Sequence, residues 1–340
     1  MKIASRAALK RLAVFGVGLI VLGIGGYFFM LRMPGKSHTG PLPPVTAKVT
    51  LAESLRKDVT TLATDIGERN VERLKAYHRA ADFIENELRA AGYAPRRQEF
   101  QAAGKTCANI EAEIPGGGRA KEIIIVGAHY DTAVGTPGAN DNASGVAGLL
   151  ALARAFRGKT PARTIRFVAF ANEEPPHFWT EEMGSVVYAR RCRERGETIT
   201  GMLALETIGF YTDAPKSQRY PSPLNLIYPS TGNFIAFVGN MKSGKLVRRS
   251  IATFRSHTHF PSEGAAVPGI IPGVGWSDHW SFWKEGYPAL MVTDTAPFRY
   301  PHYHEATDTP EKLDYDRMAR VVTGLKTVIE DLAGWSKDSR

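Results

Sequence analysis

The chain has 340 residues, 43% of them hydrophobic, enough to bury a core in one large domain or two ordinary ones. Its formal charge of +9 raises the question of nucleic acid. However, Lys2, Arg6, Lys10, Arg11, Arg32 and Lys36 lie in the first 36 positions without an acidic partner, so the remainder carries only +3. No stripe of clustered basic and aromatic residues accompanies that remainder, and a nucleic-acid partner is excluded.

Leu12 to Leu31 reads LAVFGVGLIVLGIGGYFFML, uncharged and almost wholly apolar. A run of this length suits a helix crossing the ~30 Å hydrocarbon core of a bilayer. A cleaved signal peptide would have an apolar region of about 7–15 residues ending in a small-x-small site. Here the end is bulky, with Tyr27, Phe28, Phe29 and Met30. The sequence therefore predicts an uncleaved transmembrane signal anchor at 12–31. Four basic residues precede it and two follow, which keeps residues 1–11 cytoplasmic and exports the rest to the extracytoplasmic side, the periplasm in a bacterium. Residues 32–50 carry Pro34, Gly35, Gly40, Pro41, Pro43 and Pro44, the composition of a stiff linker. From 51 to 340 no second boundary occurs, so one domain is expected there.

Within that domain, residues 71–92 have apolar positions at helical spacing, Asn70 as a cap and Gly92 as a stop. Strand and helix then alternate. Strands are expected at 122–128, 164–171, 201–205, 224–228 and 289–293, and helices at 145–156, 186–195, 243–254 and 315–335. This pattern predicts an α/β fold, with a mixed, mainly parallel central sheet covered by helices on both faces. Cys107 and Cys192 are the only cysteines and lack the spacing of a zinc or redox motif. Pairing and separate thiols both stay open.

In open α/β sheets, ligands bind beyond the carboxyl ends of the strands. His129, Tyr130 and Asp131 follow the first of these strands, and Asn172, Glu173 and Glu174 follow the second. Glu206 follows the third, His304 lies in the loop beyond the last, and Asp141 precedes the helix at 145. Converging carboxylates repel one another unless a cation compensates them. Imidazole and carboxylate without thiolate suits zinc, with manganese or cobalt as substitutes. A pair of ions sharing one carboxylate would use every ligand, whereas one ion would leave several unexplained.

Five segments, HYDT (129–132), GANDNASGVAGLLALA (138–153), NEEPP (172–176), SDHWSFWKEGYPALMVTDT (277–295) and YHEATDT (303–309), together resemble the co-catalytic zinc aminopeptidases, metallopeptidase family twenty-eight, of a bacterial membrane-anchored type. The resemblance spans roughly residues 55 to 335 and makes 51–340 a peptidase domain with the zinc aminopeptidase fold. It implies two Zn2+ ions and a peptide substrate. His129 and Glu206 would hold one ion and Glu174 and His304 the other, with Asp141 bridging. Glu173 would be the general base that takes a proton from a metal-bridged water and passes it to the leaving amine. Asp131 would fix the His129 tautomer, and Asp278 and His279 would be pocket residues beside the metals. Better-known members carry Asp where this chain has Glu206, which leaves that metal's spacing open. His302 is the alternative to His304.

Phe178, Trp179, Trp276, Trp280, Phe282 and Trp283 offer an aromatic supply for an apolar specificity pocket. Removal of an apolar N-terminal residue is the expected reaction. Two other readings share the fold: an acyltransferase of the glutaminyl cyclase kind working with a single zinc, and a catalytically inactive receptor or scaffold.

Overall fold

The computed structural model of the protein describes residues 6–44 and 49–335. Helix α1 (Arg6–Met30) covers nearly all of the expected anchor, and residues 31–44 follow without regular structure. Next come α2 (Val49–Thr60), α3 (Leu74–Ala90), and the hairpin of β1 (Arg96–Ala102) and β2 (Lys105–Ile114). The alternating part runs β3 (Arg119–His129), α4 (Gly145–Phe156), β4 (Arg163–Phe170), α5 (Gly184–Glu194), β5 (Thr198–Glu206), β6 (Ile235–Gly239) and α6 (Gly244–His257). It closes with β7 (Ser262–Ala266), α7 (His279–Lys284), β8 (Ala289–Thr293), α8 (Ala296–Arg299) and α9 (Tyr315–Leu332).

The strands form one sheet in the order β1-β2-β4-β3-β5-β8-β6-β7. Its centre, β4-β3-β5-β8, is parallel. The β1-β2 hairpin joins β4 antiparallel, and the parallel pair β6-β7 joins β8 antiparallel. β4 is buried along its whole length, because a central parallel strand is covered on both faces. Strand alternation sends Ile124 and Val126 of β3 to one layer, with α2, α4, α6 and α9, and Ile123 and Ile125 to the other, with α5 and α7. Each such side chain, when fully buried, stabilises the fold by about 1.5–3 kcal/mol.

The strand expected at Leu224–Tyr228 does not form. The segment is a short turn, Leu224–Leu226, between Pro221 and an exposed Ile227, because the prolines at 221 and 223 remove donors that a ladder needs. The sequence reading missed α2, the β1-β2 hairpin, β6 and β7. Both cysteines are free and buried. Among the described residues, no helix is long and apolar enough to cross a membrane. The side chains of α1 at 7–9, 12–13, 19–22, 24 and 29 lie outside that description.

Candidate metal centre

Because β3, β4, β5 and β8 run in parallel, their carboxyl ends share one edge of the sheet. His129 is the last residue of β3 and Glu206 the last of β5, while Glu173 and Glu174 follow β4. Asp141 sits in the turn Ala139–Ser144, where it and Asn142 depart from helical dihedrals. Only glycine fits after this turn. A Cβ on Gly145 would lie 2.4 Å from both the Leu205 carbonyl and the Asn142 Oδ1, so α4 can start hard against the end of β5. Asn142 ties the two together. Its Nδ2 donates to the Leu205 carbonyl (2.8 Å), and its Oδ1 accepts from the N–H groups of Gly145 and Thr207 (both 3.0 Å).

The side chains converge on two adjoining triads, His129–Asp141–Glu206 and Asp141–Glu174–His304. His129 Nε2 stands 3.2 Å from Asp141 Oδ1 and 3.3 Å from Glu206 Oε2. His304 Nε2 stands 3.1 Å from Asp141 Oδ2 and 3.2 Å from Glu174 Oε2. Donors bound at about 2.0–2.1 Å around a tetrahedral ion lie about 3.3 Å apart, so these separations fit a zinc shell. His129 Nε2, Asp141 Oδ1, Glu174 Oε1 and His304 Nε2 are buried without a hydrogen-bond partner in the protein. Orphaned donors of this kind fit a cation, which also answers the excess of negative charge.

Electrostatics carries the same signature. Burial pushes the Glu173 carboxyl well above its ordinary range; Glu206, Glu174 and Asp278 push the same way, and His129 opposes them. Burial likewise raises Glu206, and it raises Glu174 to about 7 with help from Asp141. Burial alone would lower the two imidazoles, but their carboxylate neighbours hold His129 well above its usual value and His304 at about 10. Asp141, between two imidazoles, stays ionised although burial opposes it.

Glu206 is buried and faces His129, so its extra methylene leaves it within reach of the site. Ser277 Oγ donates to its Oε2 at 2.7 Å. His302 is not a member of the cluster; its Nδ1 lies 2.8 Å from Thr307 Oγ1. Asp131 lies behind His129 at 3.5 Å, long for a hydrogen bond, and its firmer contacts are with the backbone N–H groups of Glu173 and Glu174, both at 3.0 Å. It therefore sets the pose of the two glutamates. Asp278 is fully buried near His129 and Glu206, and burial lifts its carboxyl to about 7. The His279 side chain makes its contacts away from the cluster. Its Nε2 pairs with the Val274 carbonyl at 2.8 Å and its ring meets Trp283 edge-on, while burial lowers its pKa to about 4, keeping it neutral.

The sequence reading missed several supports. Asn140 Nδ2 donates to Asp294 Oδ2 (2.9 Å), and its Oδ1 accepts from Gly209 N–H (2.9 Å). The asparagines flanking Asp141 were the available signal. Arg69, fully buried, donates to the carbonyls of Tyr130 (2.7 Å), Pro137 (2.6 Å) and Gly138 (2.8 Å), and no local pattern announces it.

Beside the triads lies an open cleft, joined to them by Glu206 and Tyr303. Its walls include Tyr220, Tyr228, Phe234, Val267, Trp276 and Phe298. Of the aromatic supply expected from the sequence, only Trp276 lines it. Phe282 is core, and Phe178, Trp179 and Trp280 stack on one another.

Comparison with protein families matches residues 109–329 to Peptidase family M28. The uncharacterized protein YfbL of Escherichia coli K12 is 38% identical over 296 residues, 84% of this chain and 90% of its own. Leucine aminopeptidase 1 of Arthroderma otae is 26% identical, over 81% of this chain and 76% of its own. Among solved structures, BSAP, a zinc aminopeptidase from Bacillus subtilis, aligns with a TM-score of 0.66 at 16% identity, over 84% of this chain and 96% of its own. Tannerella forsythia glutaminyl cyclase aligns with 0.61 at 21%, over 82% and 98%. Both structural likenesses are likenesses of fold.

Proposed function

The chain belongs to Peptidase family M28, and from that premise we propose that it is an aminopeptidase using two zinc ions to release apolar N-terminal residues from peptides. One observation carries this reading: the two oxygens of Asp141 face different imidazoles, Oδ1 towards His129 at 3.2 Å and Oδ2 towards His304 at 3.1 Å. A carboxylate split in this way is the shared ligand of a pair. His129 and Glu206 would complete one end, and Glu174 and His304 the other. Bound zinc would polarise the scissile carbonyl and acidify water. Glu173 belongs to neither triad, yet its Oε2 lies 3.8 Å from His129 Nε2. It is the carboxylate left free to take a proton from the attacking water and deliver it to the leaving amine. The apolar cleft beside Glu206 and Tyr303 supports an apolar side chain at the substrate's N-terminus.

The same reading includes an anchor. Leu12 to Leu31 carries no charge, and a helix of 25 residues such as α1 is about 37 Å long against a hydrocarbon core of ~30 Å. Basic residues ahead of the span favour a cytoplasmic N-terminus and an extracytoplasmic catalytic domain.

The full chain, purified and assayed on aminoacyl p-nitroanilides, is expected to lose activity on chelation, to regain it with zinc, and to bind two ions per chain. Glu173→Gln is expected to lower kcat about 10²–10⁴-fold while keeping its zinc. Cyclisation of an N-terminal Gln peptide with one zinc per chain and no amino-acid release would overturn the assignment.

A further inference from the structure

The segment after α1 is fastened to the catalytic domain along the edge strand β7. Arg255 Nη1 donates to the carbonyls of Pro34 (3.1 Å) and Gly35 (3.3 Å), and Ser37 Oγ accepts the Ser262 N–H at 2.9 Å. Met33 lies so close to Gly264 that a Cβ there would come 2.9 Å from its Cγ, so the strap packs directly on the glycine and a larger residue would push the Met33 side chain aside. The domain is therefore held in a set pose against the end of α1.

That end abuts the cleft. Met30 and Leu31 pack in one apolar cluster with Tyr228, Ala265, Val267, Ile271 and Val274. Four of these, Tyr228, Ala265, Val267 and Val274, also line the cleft. Tyr228 is held at the edge by its hydroxyl, which donates to the Gly264 carbonyl at 2.7 Å. The two loops that supply this wall, 221–228 and 268–274, carry bare apolar tips: Leu226 is 81% and Ile270 91% exposed, and Ile227 is also exposed. The last turn of α1 presents Tyr27 and Phe28 to the surroundings, with the Arg32 guanidinium over the Phe28 ring. An aromatic turn followed by a cation is the usual composition of a helix end at a membrane–water interface.

We propose that the loops 221–228 and 268–274 form a lipid-contacting rim, with Leu226, Ile227 and Ile270 inserted at the headgroup boundary, so that the cleft opens along the bilayer and receives peptides bound to its surface. The occupant of this face is the lipid surface itself. Loops touching the last turn of a spanning helix are within a few ångströms of the headgroups, and apolar tips there gain by burial that water denies them. The inference rests on α1 spanning the membrane, and its test separates the two.

The test uses the full chain in vesicles of phosphatidylethanolamine and phosphatidylglycerol. Leu226→Cys, Ile270→Cys, Phe15→Cys and Glu99→Cys variants are labelled with an environment-sensitive fluorophore, since Cys107 and Cys192 are buried. Spin-labelled lipid is expected to quench the probe at 226, 270 and 15, but not at 99 on β1, the opposite edge of the sheet. Quenching at 15 without quenching at 226 and 270 would overturn the rim and leave the anchor intact. No quenching at 15 would remove the anchor and the rim together. In addition, Leu226→Asp with Ile270→Asp is expected to leave hydrolysis of a soluble p-nitroanilide unchanged, while release from a vesicle-bound peptide falls at least about fivefold. Equal rates on the vesicle-bound peptide, or an equal loss on both substrates, would overturn the proposal.

Discussion

Asp308 accepts the backbone N–H of Asp141 at 3.1 Å through Oδ2, and through Oδ1 it accepts that of Asn140 at 2.8 Å. The Tyr300 hydroxyl donates to the same Oδ1 at 2.8 Å and fixes the carboxylate. Two successive N–H groups clamped in this way orient the turn so that the Asp141 side chain can face both imidazoles. Asp308→Ala would leave three buried donors unpaired, the two N–H groups and the Tyr300 hydroxyl, at about 1–3 kcal/mol each. The expected result is a 10–100-fold loss of zinc affinity, with Asp308→Asn intermediate because one acceptor oxygen remains. Competition against a chromophoric chelator measures it; unchanged affinity in the alanine variant would show that the turn holds itself.

Ser277 and Glu206 form the second support. The Glu206 oxygen that accepts from Ser277 Oγ is the one facing His129 Nε2. Ser277→Ala frees this carboxylate to rotate, and a loss of about tenfold in affinity for the ion beside His129 is expected. Glu206→Asp withdraws the carboxylate by about 1.5 Å, one carbon–carbon bond. Under limiting zinc its stoichiometry should fall towards one ion per chain while the His304 side stays filled. Metal analysis after graded dialysis reads this directly, and a stoichiometry that tracks the parent at every concentration would refute it.

The parts of the molecule legible in the sequence are those whose signals are local. β3, α4 and β4 are built around buried apolar stretches, and the candidate ligands His129 and Glu174 stand at or just past the ends of β3 and β4, which share one carboxyl edge because they are parallel. The edge strands carry no such signal. β1, RRQEFQA, is exposed over most of its length, and β7, SEGAA, owes its place to pairing with β6 and to the strap over Gly264 rather than to its own residues. Leu224–Tyr228 was over-read because apolar composition says nothing of the proline spacing that blocks pairing. Side-chain direction is likewise not a local property. The motif containing His279 sits at the site, yet its imidazole serves the Val274 carbonyl, and Arg69 reaches carbonyls some 60 residues away.

Removing metal should destabilise the protein as well as silence it. Chelation leaves Asp141, Glu173, Glu174 and Glu206 crowded in a buried volume with only two imidazoles and the more distant Arg69 guanidinium to compensate them. Zinc at a hundredfold its dissociation constant would add about 2.7 kcal/mol per site. For a domain of this size that is a rise in Tm of about 4–5 °C per site. Thermal melts of chelated and zinc-reloaded protein test it, and coincident melts would mean that the triads bind no ion with useful affinity.

Acid sensitivity should have a source outside the candidate metal centre, at Glu111 on β2. Its carboxylate is buried and accepts from Arg96 (2.7 Å), Arg191 (2.6 Å) and the Tyr188 hydroxyl (2.7 Å). Burial pulls its pKa upward, but the Tyr188 hydrogen bond and the charges of Arg166, Arg96 and Arg191 outweigh burial and hold it below the ordinary carboxylate value. The folded state therefore binds the proton less readily than the unfolded chain. The stabilisation is fully present above the unfolded value of about 4.3 and is lost as pH falls through the folded one. Glu111→Gln is expected to cost about 1–3 kcal/mol at pH 7 and progressively less as the pH drops below 4. Urea unfolding of chelated parent and variant at pH 7, 5 and 3.5 keeps metal release out of the comparison. A gap between them that stays constant from pH 7 to 3.5 would mean that the ionised carboxylate contributes nothing beyond its shape.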